Sequence, residues 1–159
     1  MRTSTYDFDG LHRRLAGRCF VCEIVAGNPD FTHHIVFRDD RAVAFLSKYP
    51  QVYGYVLVAP VRHLEQVTGD FSESEYLELQ QIVYRVAEAL RNVVPTERLY
   101  ILSLGSQSGN AHIHWHVVPL PPGVPFEDQQ YALLSKGEIV DLNEEEMTAL
   151  AERIRNQLG

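Results

Sequence analysis

The most informative segment of the sequence is His112-Ile113-His114-Trp115-His116-Val117-Val118-Pro119. Three of the seven histidines of the chain stand here, and they alternate with bulky apolar residues. Alternate side chains of a β-strand point to opposite faces and repeat about every 7 Å along one face. The pattern therefore predicts a half-buried strand with the three histidines on one face and Ile113, Trp115 and Val117 packed on a core. Pro119 has no N–H to donate and is expected to end the strand. A solvated strand face that is merely rich in histidine is the simpler alternative.

The sequence on either side of this stretch predicts an α+β fold. Alternating or buried apolar runs predict strands over 34–38, 42–46 and 53–59, and the short connections between them favour antiparallel pairing. Ser72 and Glu75 form a capping-box pattern before a long apolar periodicity, which predicts a helix to about Val94. A fourth strand is expected over 99–104, and the histidine stretch is the fifth. A short N-terminal helix over 20–26 and an amphipathic C-terminal helix after Asn143 complete the prediction.

Length and charge limit the classes of partner. A chain of 159 residues is typical of one domain. The net charge of −7 argues against a nucleic acid partner, because nucleic acid binding needs a basic surface. No apolar run reaches the length of a membrane span, and no signal-peptide pattern is visible, so we expect a cytoplasmic protein without a membrane partner.

The histidine stretch resembles the signature of the histidine triad (HIT) superfamily of nucleotide hydrolases and transferases. Three further segments look like family elements in the same order: Cys19–Gly27 with its Cys-x-x-Cys helix, and the strand segments Ala44–Leu46 and Gly54–His63. The resemblance implies a HIT domain over residues 19–120. Residues 1–18 would be an N-terminal arm or short helix, and residues 121–159 would be a C-terminal extension.

The resemblance also implies a covalent mechanism on a small-molecule nucleotide. His114 would attack the α-phosphorus and form a nucleotidyl-histidine, which replaces one difficult displacement with two easier ones. His116 would contact a phosphoryl oxygen or the leaving group. The Gly105–Asn110 loop would surround the phosphate, with Ser108 and Asn110 as polar contacts. Simple turn chemistry is the alternative for these two residues.

Cys19 and Cys22 have the spacing of a metal chelate. The resemblance implies that His63 and His112 complete a structural zinc site. Two small buried cysteines with a hydrogen-bonded His63, or a redox pair, are the alternatives.

The chain departs from the family pattern at two positions. Ser47 stands where relatives usually have Asp or Asn for the ribose hydroxyls, and Tyr55 stands where most have histidine. The pocket walls that the resemblance implies are Phe20, Val21, Ile24, Phe45 and Leu46.

Three functions stay open at this point. The first is a HIT-type enzyme that cleaves a nucleoside phosphoanhydride or phosphoramidate, by hydrolysis or phosphorolysis, with an adenine nucleotide favoured. The second is a non-catalytic nucleotide-binding module, which Ser47 and Tyr55 suggest. The third is a metal-dependent hydrolase with all three triad histidines on one metal, although a strand would spread them over about 13–14 Å.

A symmetric homodimer is the expected assembly. The long helix carries more apolar residues than a small sheet can cover, and the fourth strand would otherwise be an open edge. The resemblance implies that both elements pair across a two-fold axis. A monomer, with Tyr84 packed beneath the C-terminal helix, is the alternative.

Overall fold

A five-stranded antiparallel sheet carries its two longest helices on one face and a short helix on the other. The computed structural model describes residues 1–105 and 110–159. The elements in chain order are β1 Thr3–Thr5, α1 Phe8–Leu15, α2 Phe20–Val25, β2 Ile35–Arg38, β3 Ala42–Leu46, β4 Val56–Pro60, α3 Glu73–Val93, β5 Arg98–Leu102, β6 Trp115–Leu120, α4 Tyr131–Leu134, β7 Glu138–Val140 and α5 Glu144–Leu158. Single 3₁₀ turns occur at Pro29–Phe31 and Phe126–Asp128. The α+β prediction is confirmed.

The strands of the large sheet lie in the order β2-β3-β4-β6-β5, and each neighbouring pair is antiparallel. The long helix α3 leaves the sheet after β4 and returns the chain to the edge strand β5. Strand β6 then inserts between β4 and β5. The histidine stretch therefore enters the interior of the sheet, where both of its neighbours come from earlier parts of the chain.

Both predicted capping boxes are present. The Glu75 N–H donates to Ser72 Oγ (3.2 Å), and the Ser72 N–H donates to a Glu75 carboxylate oxygen (2.8 Å). Asn143 and Glu146 make the same reciprocal pair at the start of α5, at 2.9 and 2.8 Å. These bonds satisfy N–H groups that a helix leaves unpaired in its first turn, so they set where α3 and α5 begin.

The main core lies between the sheet and the helices α3 and α5. Leu79, Ile82, Val86 and Leu90 of α3 pack there against Ile113, Trp115 and Val117. A smaller core lies on the opposite face, where α2 covers the sheet through Val21 and Ile24. Successive residues of β3 and β4 alternate between these two cores, as the strand period requires.

Strand boundaries differ from the predictions at two instructive places. Strand β4 begins at Val56 rather than residue 53, because Gly54 makes a turn with φ +88° close to Val94. A Cβ at Gly54 would lie 2.8 Å from Val94 Cγ2, so this turn favours glycine both by conformation and by space. The expectation that Pro119 ends the strand is wrong. Pro119 pairs in register with Leu99, and β4 pairs with β6 only as far as Val117, so the missing N–H breaks no bond of the sheet.

The N-terminal arm contains an unpredicted strand beside the expected short helix. Thr3–Thr5 pairs antiparallel with Glu138–Val140 of the C-terminal extension, and the Val140 N–H donates to Pro50 O at 2.7 Å. The two terminal segments thereby support the loop between β3 and β4. In the part of the chain that the structure describes, no helix is long and apolar enough to cross a bilayer.

Candidate active site and metal centre

The histidine stretch places its alternating side chains as predicted, but only part of it is a strand. Ile113, Trp115 and Val117 enter the helix-side core, and the histidines lie on the opposite side. Regular pairing starts at Trp115, so His112 and His114 precede β6 rather than belonging to it. The ring centroids of His114 and His116 are 4.7 Å apart, which is shorter than the repeat of a strand face. His112 and His114 are also almost fully buried, so the solvated-face alternative is excluded.

His114 is held as a neutral imidazole, and its Nε2 has no hydrogen-bond partner among the described residues. Its side chain is 1% exposed, and its Nδ1–H donates to the His112 carbonyl at 2.8 Å. A carbonyl only accepts hydrogen bonds, so the proton is on Nδ1 and the Nε2 lone pair is available. Burial lowers the pKa of His114, which keeps the ring uncharged at neutral pH. The Ser103 hydroxyl donates to the His114 carbonyl at 2.7 Å and anchors this backbone segment. These are the features that a nucleophilic histidine needs.

His116 lies beside His114 and is bonded to Tyr55. The Tyr55 hydroxyl oxygen is 2.6 Å from His116 Nδ1. Burial lowers the pKa of His116 to about 3, with a further contribution from His114, so this ring is also neutral at pH 7. His116 stands directly opposite Leu57 of β4 in the sheet register. The two rings together present adjacent nitrogens on one face of the sheet.

Cys19, Cys22, His63 and His112 converge on one point. Their ligand atoms all lie within 4.8 Å of one another. His112 Nδ1 is 3.5 Å from both sulfur atoms, and His63 Nδ1 is 3.3 Å from the sulfur of Cys22. The four residues come from the start of α2, the segment after β4 and the segment before β6, so they form a group that can hold a metal ion.

The outer hydrogen bonds of the two histidines orient them for a metal. His112 Nε2–H donates to the Pro60 carbonyl at 2.8 Å, and His63 Nε2–H donates to the Glu65 carboxylate at 3.0 Å. Both Nδ1 lone pairs therefore face the two sulfur atoms. Such a backbone or carboxylate partner on the far nitrogen is the usual second layer of a metal site.

Burial keeps two of the four donor groups, Cys22 and His112, uncharged at neutral pH. Burial, followed by the neighbouring Cys19, raises the pKa of the Cys22 thiol to about 11. Burial lowers the pKa of His112 to about 4. Two sulfur atoms and two imidazole nitrogens are the donor set of a closed tetrahedral zinc site, and zinc binding would release the thiol proton of Cys22.

The implied pocket walls divide between the two faces of the sheet. Phe20 packs edge-on to both Phe45 and His114, at centroid distances of 6.3 and 5.8 Å. Ile24 and Val21 belong to the same cluster. Leu46 does not, because β3 alternates and directs its side chain into the helix-side core. The structure therefore brings Phe20, Ile24 and Phe45 to the side of His114 and places the Leu46 side chain on the other side.

The three polar residues predicted to contact the substrate are Ser47, Ser108 and Asn110, and the structure describes two of them. Ser47 is partly exposed directly after β3, and its N–H donates to the Tyr55 carbonyl at 2.8 Å. Ser108 lies outside the described residues. The backbone of Asn110 lies close to Gly105. The φ of Gly105 is +144°, and a Cβ at this position would lie 2.8 Å from the Asn110 carbonyl oxygen. Glycine at 105 thus lets the two described ends of the loop meet.

Two residues near the site were missed by the sequence reasoning. Ser103 is an ordinary strand-end serine in the sequence, and only the fold brings it to the His114 carbonyl. His33 packs edge-on to Phe45 at 5.2 Å and bonds the Phe31 carbonyl through Nδ1 at 2.9 Å. Neither position carries a motif that would single it out.

A protein-family comparison assigns this arrangement to a family. The model of the HIT domain matches residues 28–122, which is more than half of the chain. The chain belongs to the HIT domain family. An uncharacterized HIT-like protein of Saccharolobus solfataricus is 34% identical over 104 residues, covering 64% of this chain and 73% of that protein. A protein named AP-4-A phosphorylase from Mycobacterium tuberculosis is 29% identical over 89 residues, covering 54% of this chain and 45% of that one.

Solved HIT structures share the fold. A hypothetical histidine triad nucleotide-binding protein of Sulfolobus tokodaii superposes with a TM-score of 0.69 at 26% identity, over 88% of this chain and 91% of that one. A Zn-bound histidine triad family protein of Mycobacterium smegmatis gives a TM-score of 0.65 at 21% identity, over 89% and 93%. The HIT fold predicted from the sequence is confirmed. Some members of the HIT family are enzymes, such as the AP-4-A phosphorylase.

Proposed function

We propose that this HIT protein is a nucleotide hydrolase or nucleotidyl transferase that works through a covalent intermediate on His114. The proposal rests on the hydrogen bond that His114 Nδ1–H donates to the His112 carbonyl. This bond leaves the lone pair of the buried, neutral Nε2 available to attack phosphorus. In the first step Nε2 bonds to the α-phosphorus, the bond from phosphorus to the leaving group breaks, and the electron pair stays on the leaving group. In the second step water or phosphate displaces the histidine and releases the nucleotide.

Two observations support a nucleotide as the substrate. Phe20 and Phe45 supply flat apolar surface next to His114, which suits a base or ribose. The Sulfolobus tokodaii relative is described as nucleotide-binding. The name of the Mycobacterium tuberculosis relative, AP-4-A phosphorylase, makes phosphorolysis a specific second candidate for the second step, with phosphate in place of water.

A panel of substrates tests the proposed activity. The protein is incubated with labelled dinucleoside polyphosphates and nucleoside phosphoramidates, with and without inorganic phosphate and with and without a chelator. We expect release of a nucleoside monophosphate in buffer, or of a diphosphate if phosphate is the acceptor. Binding without turnover of any substrate would instead identify a non-catalytic nucleotide-binding module. Turnover that needs added metal, and is abolished by a chelator that leaves the protein folded, would indicate a metal-dependent hydrolase.

We also propose that Cys19, Cys22, His63 and His112 hold a structural zinc ion. The convergence of their ligand atoms and the orientation of both imidazoles support this assignment. When bound, zinc supplies a cross-link between α2 and the chain segments after β4 and before β6. The ligand role of His112 leaves it out of the reaction and fixes the carbonyl that orients His114.

We propose a homodimer built on α3 and β5. Tyr84 and Leu77 of α3 are 67% and 54% exposed, and Ile101 of the edge strand β5 is 48% exposed. Tyr84 therefore does not pack beneath α5, as the monomer alternative required. A cytoplasmic location and the absence of a nucleic acid partner remain predictions.

Light scattering tests the assembly. We expect twice the chain mass, and we expect the double variant Tyr84→Glu with Ile101→Glu to give a single-chain mass, because the interface would bury like charges that cannot pair with one another. Val67→Glu, at an exposed position in the turn segment before α3, is the matched control and should stay dimeric. A wild-type mass of one chain at high concentration would refute the dimer.

The ribose contact is tested at Ser47. Serine offers one short hydroxyl where a carboxylate would bind two ribose hydroxyls, so Ser47→Asp should tighten the binding of a nucleoside monophosphate about tenfold. Ser47→Ala is the control and should not tighten it. Calorimetry that shows equal or weaker binding for Ser47→Asp would count against this placement of the ribose.

A further inference from the structure

We propose that Tyr55 fixes the proton of His116 on Nε2 and thereby restricts this site to phosphoanhydride substrates over phosphoramidates. In this role Tyr55 is a positioning residue that acts through His116. The inference rests on the proposed function of His114 and His116. It starts from the 2.6 Å contact between the Tyr55 hydroxyl and His116 Nδ1, at a position where the chain departs from the histidine expected there.

The environment of Tyr55 holds its ring in place. Tyr55 is 8% exposed and packs in a small core with Val52, Val118 and Leu133. Its carbonyl accepts the N–H of Ser47, so the same residue is tied to the end of β3 and to His116. The packing of the ring and the hydrogen bond of the backbone thus hold the Tyr55 hydroxyl against His116 and restrict its rotation.

The direction of the hydrogen bond follows from counting donors and acceptors. A phenol has one proton to donate, and a neutral imidazole has one donor nitrogen and one acceptor nitrogen. If Tyr55 donates to Nδ1, the proton of His116 is on Nε2, where it can meet a negatively charged phosphoryl oxygen. If His116 donated to Tyr55 instead, the Nε2 lone pair would face that oxygen and repel it. The first arrangement satisfies every group, so we assign the phenol as the donor.

The assignment limits what His116 can give away. For a phosphoanhydride, the α-phosphorus–oxygen bond breaks and the electron pair stays on a phosphate oxygen, which is stable as an anion near neutral pH. His116 needs only to donate a hydrogen bond to it. For a phosphoramidate, the phosphorus–nitrogen bond breaks, and the departing amine must gain a proton. If His116 supplied its Nε2 proton, Nδ1 would have to take the phenol proton, and Tyr55 would become a tyrosinate.

A buried tyrosinate is unfavourable at this position. Desolvation raises the pKa of the Tyr55 phenol, and no cation among the described residues contacts its oxygen. Histidine in place of Tyr55 could exchange protons near neutral pH, whereas tyrosine cannot. The phenol therefore orients His116 while withholding the proton that an amine leaving group requires.

The first test is the tautomer of His116, and it needs no substrate. Two-bond ¹H–¹⁵N NMR spectra of the intact protein should show His116 as the Nε2–H tautomer. Tyr55→Phe removes the donor with little change in shape, so the His116 signals should shift toward a mixture of tautomers. Tyr100→Phe is the matched control, because it removes a hydroxyl from the same small core as Tyr55, and that hydroxyl accepts from the Gln130 N–H. An Nδ1–H tautomer in the wild-type protein would overturn the proposal.

The second test compares one dinucleoside polyphosphate with one phosphoramidate of the same nucleoside. The wild type should have a kcat/KM at least tenfold higher on the anhydride. Tyr55→Phe should lower kcat on the anhydride at least tenfold with little change in KM. Tyr55→His should restore that kcat and raise the phosphoramidate-to-anhydride ratio at least tenfold. Equal wild-type rates on both substrates, or an unchanged kcat in Tyr55→Phe, would refute the restriction. If neither substrate is turned over while NMR shows the Nε2–H tautomer, the proposed function fails and the restriction with it, while the Tyr55-to-His116 contact stands.

Discussion

His114→Asn is expected to abolish turnover while leaving the fold intact. Asparagine can still donate to the His112 carbonyl through its amide, so the buried hydrogen bond is kept, but it has no nitrogen lone pair that can attack phosphorus. Loss of a covalent nucleophile elsewhere costs on the order of 10⁶-fold in kcat, and a loss of that scale is expected here. Steady-state rates on the best substrate, with thermal melting as the check on folding, measure it.

His34→Asn is the matched control for this substitution. His34 is half-buried at the helix side of the sheet, where Nε2 lies 3.2 Å from the Glu144 carboxylate, and it contacts none of the proposed catalytic residues. Its substitution should leave kcat within about twofold of the wild type. A His114→Asn variant that is folded and retains a rate near that of the wild type would exclude covalent catalysis by His114.

Loss of the proposed zinc ion is expected to lower the thermal stability of the protein more than any other change proposed for this site. Elemental analysis of protein purified without added metal should give about one zinc per chain. Cys19→Ser and His63→Asn each remove one ligand and should both lose it. A metal present at about 100 times its dissociation constant stabilises the folded state by about 2.7 kcal/mol, which corresponds to a fall in Tm of roughly 5–11 °C for a chain of this size.

The zinc prediction has its own controls. His34→Asn removes a histidine outside the group and should keep both metal and Tm. Added chelator should bring the wild type down to the Tm of Cys19→Ser and leave that variant unchanged. Sub-stoichiometric metal after gentle purification, with no effect of chelator on Tm, would show that the four residues are only packed and hydrogen bonded.

The fold could be predicted well because each element had a local signal. The capping boxes at Ser72 and Asn143 determined where two helices begin, and both are observed. The alternation in the histidine stretch placed Trp115 in the core. The two errors in the strand predictions have causes that the pattern of apolar residues along the sequence does not reveal. Pro119 is tolerated because β4 stops pairing at Val117, and Thr3–Thr5 is a strand because a segment from the other end of the chain pairs with it.

The sequence predicted the metal-binding residues of the candidate site but not all of the residues around His114 and His116. All four members of the metal group were predicted, because the Cys-x-x-Cys spacing indicated Cys19 and Cys22 and the resemblance implied His63 and His112. The resemblance implied that Leu46 is a pocket wall. Leu46 follows Phe45 on β3, however, and neighbours along a strand face opposite sides, so its side chain packs in the helix-side core. Ser103 and the contact of Tyr55 with His116 depend on how strands meet, and no local pattern in the sequence encodes them.

Mass spectrometry of the acid- and alkali-quenched reaction tests whether a nucleotide becomes covalently bound to His114 during turnover. The wild type, stopped during turnover of the best substrate, should gain the mass of one nucleoside monophosphate less one water, and peptide mapping should place this nucleotidyl group on His114. A phosphoramidate bond is labile in acid and stable in alkali, so the adduct should survive only the alkaline quench. Turnover without an adduct on His114 under alkaline quench, or an adduct that persists in His114→Asn, would contradict the mechanism.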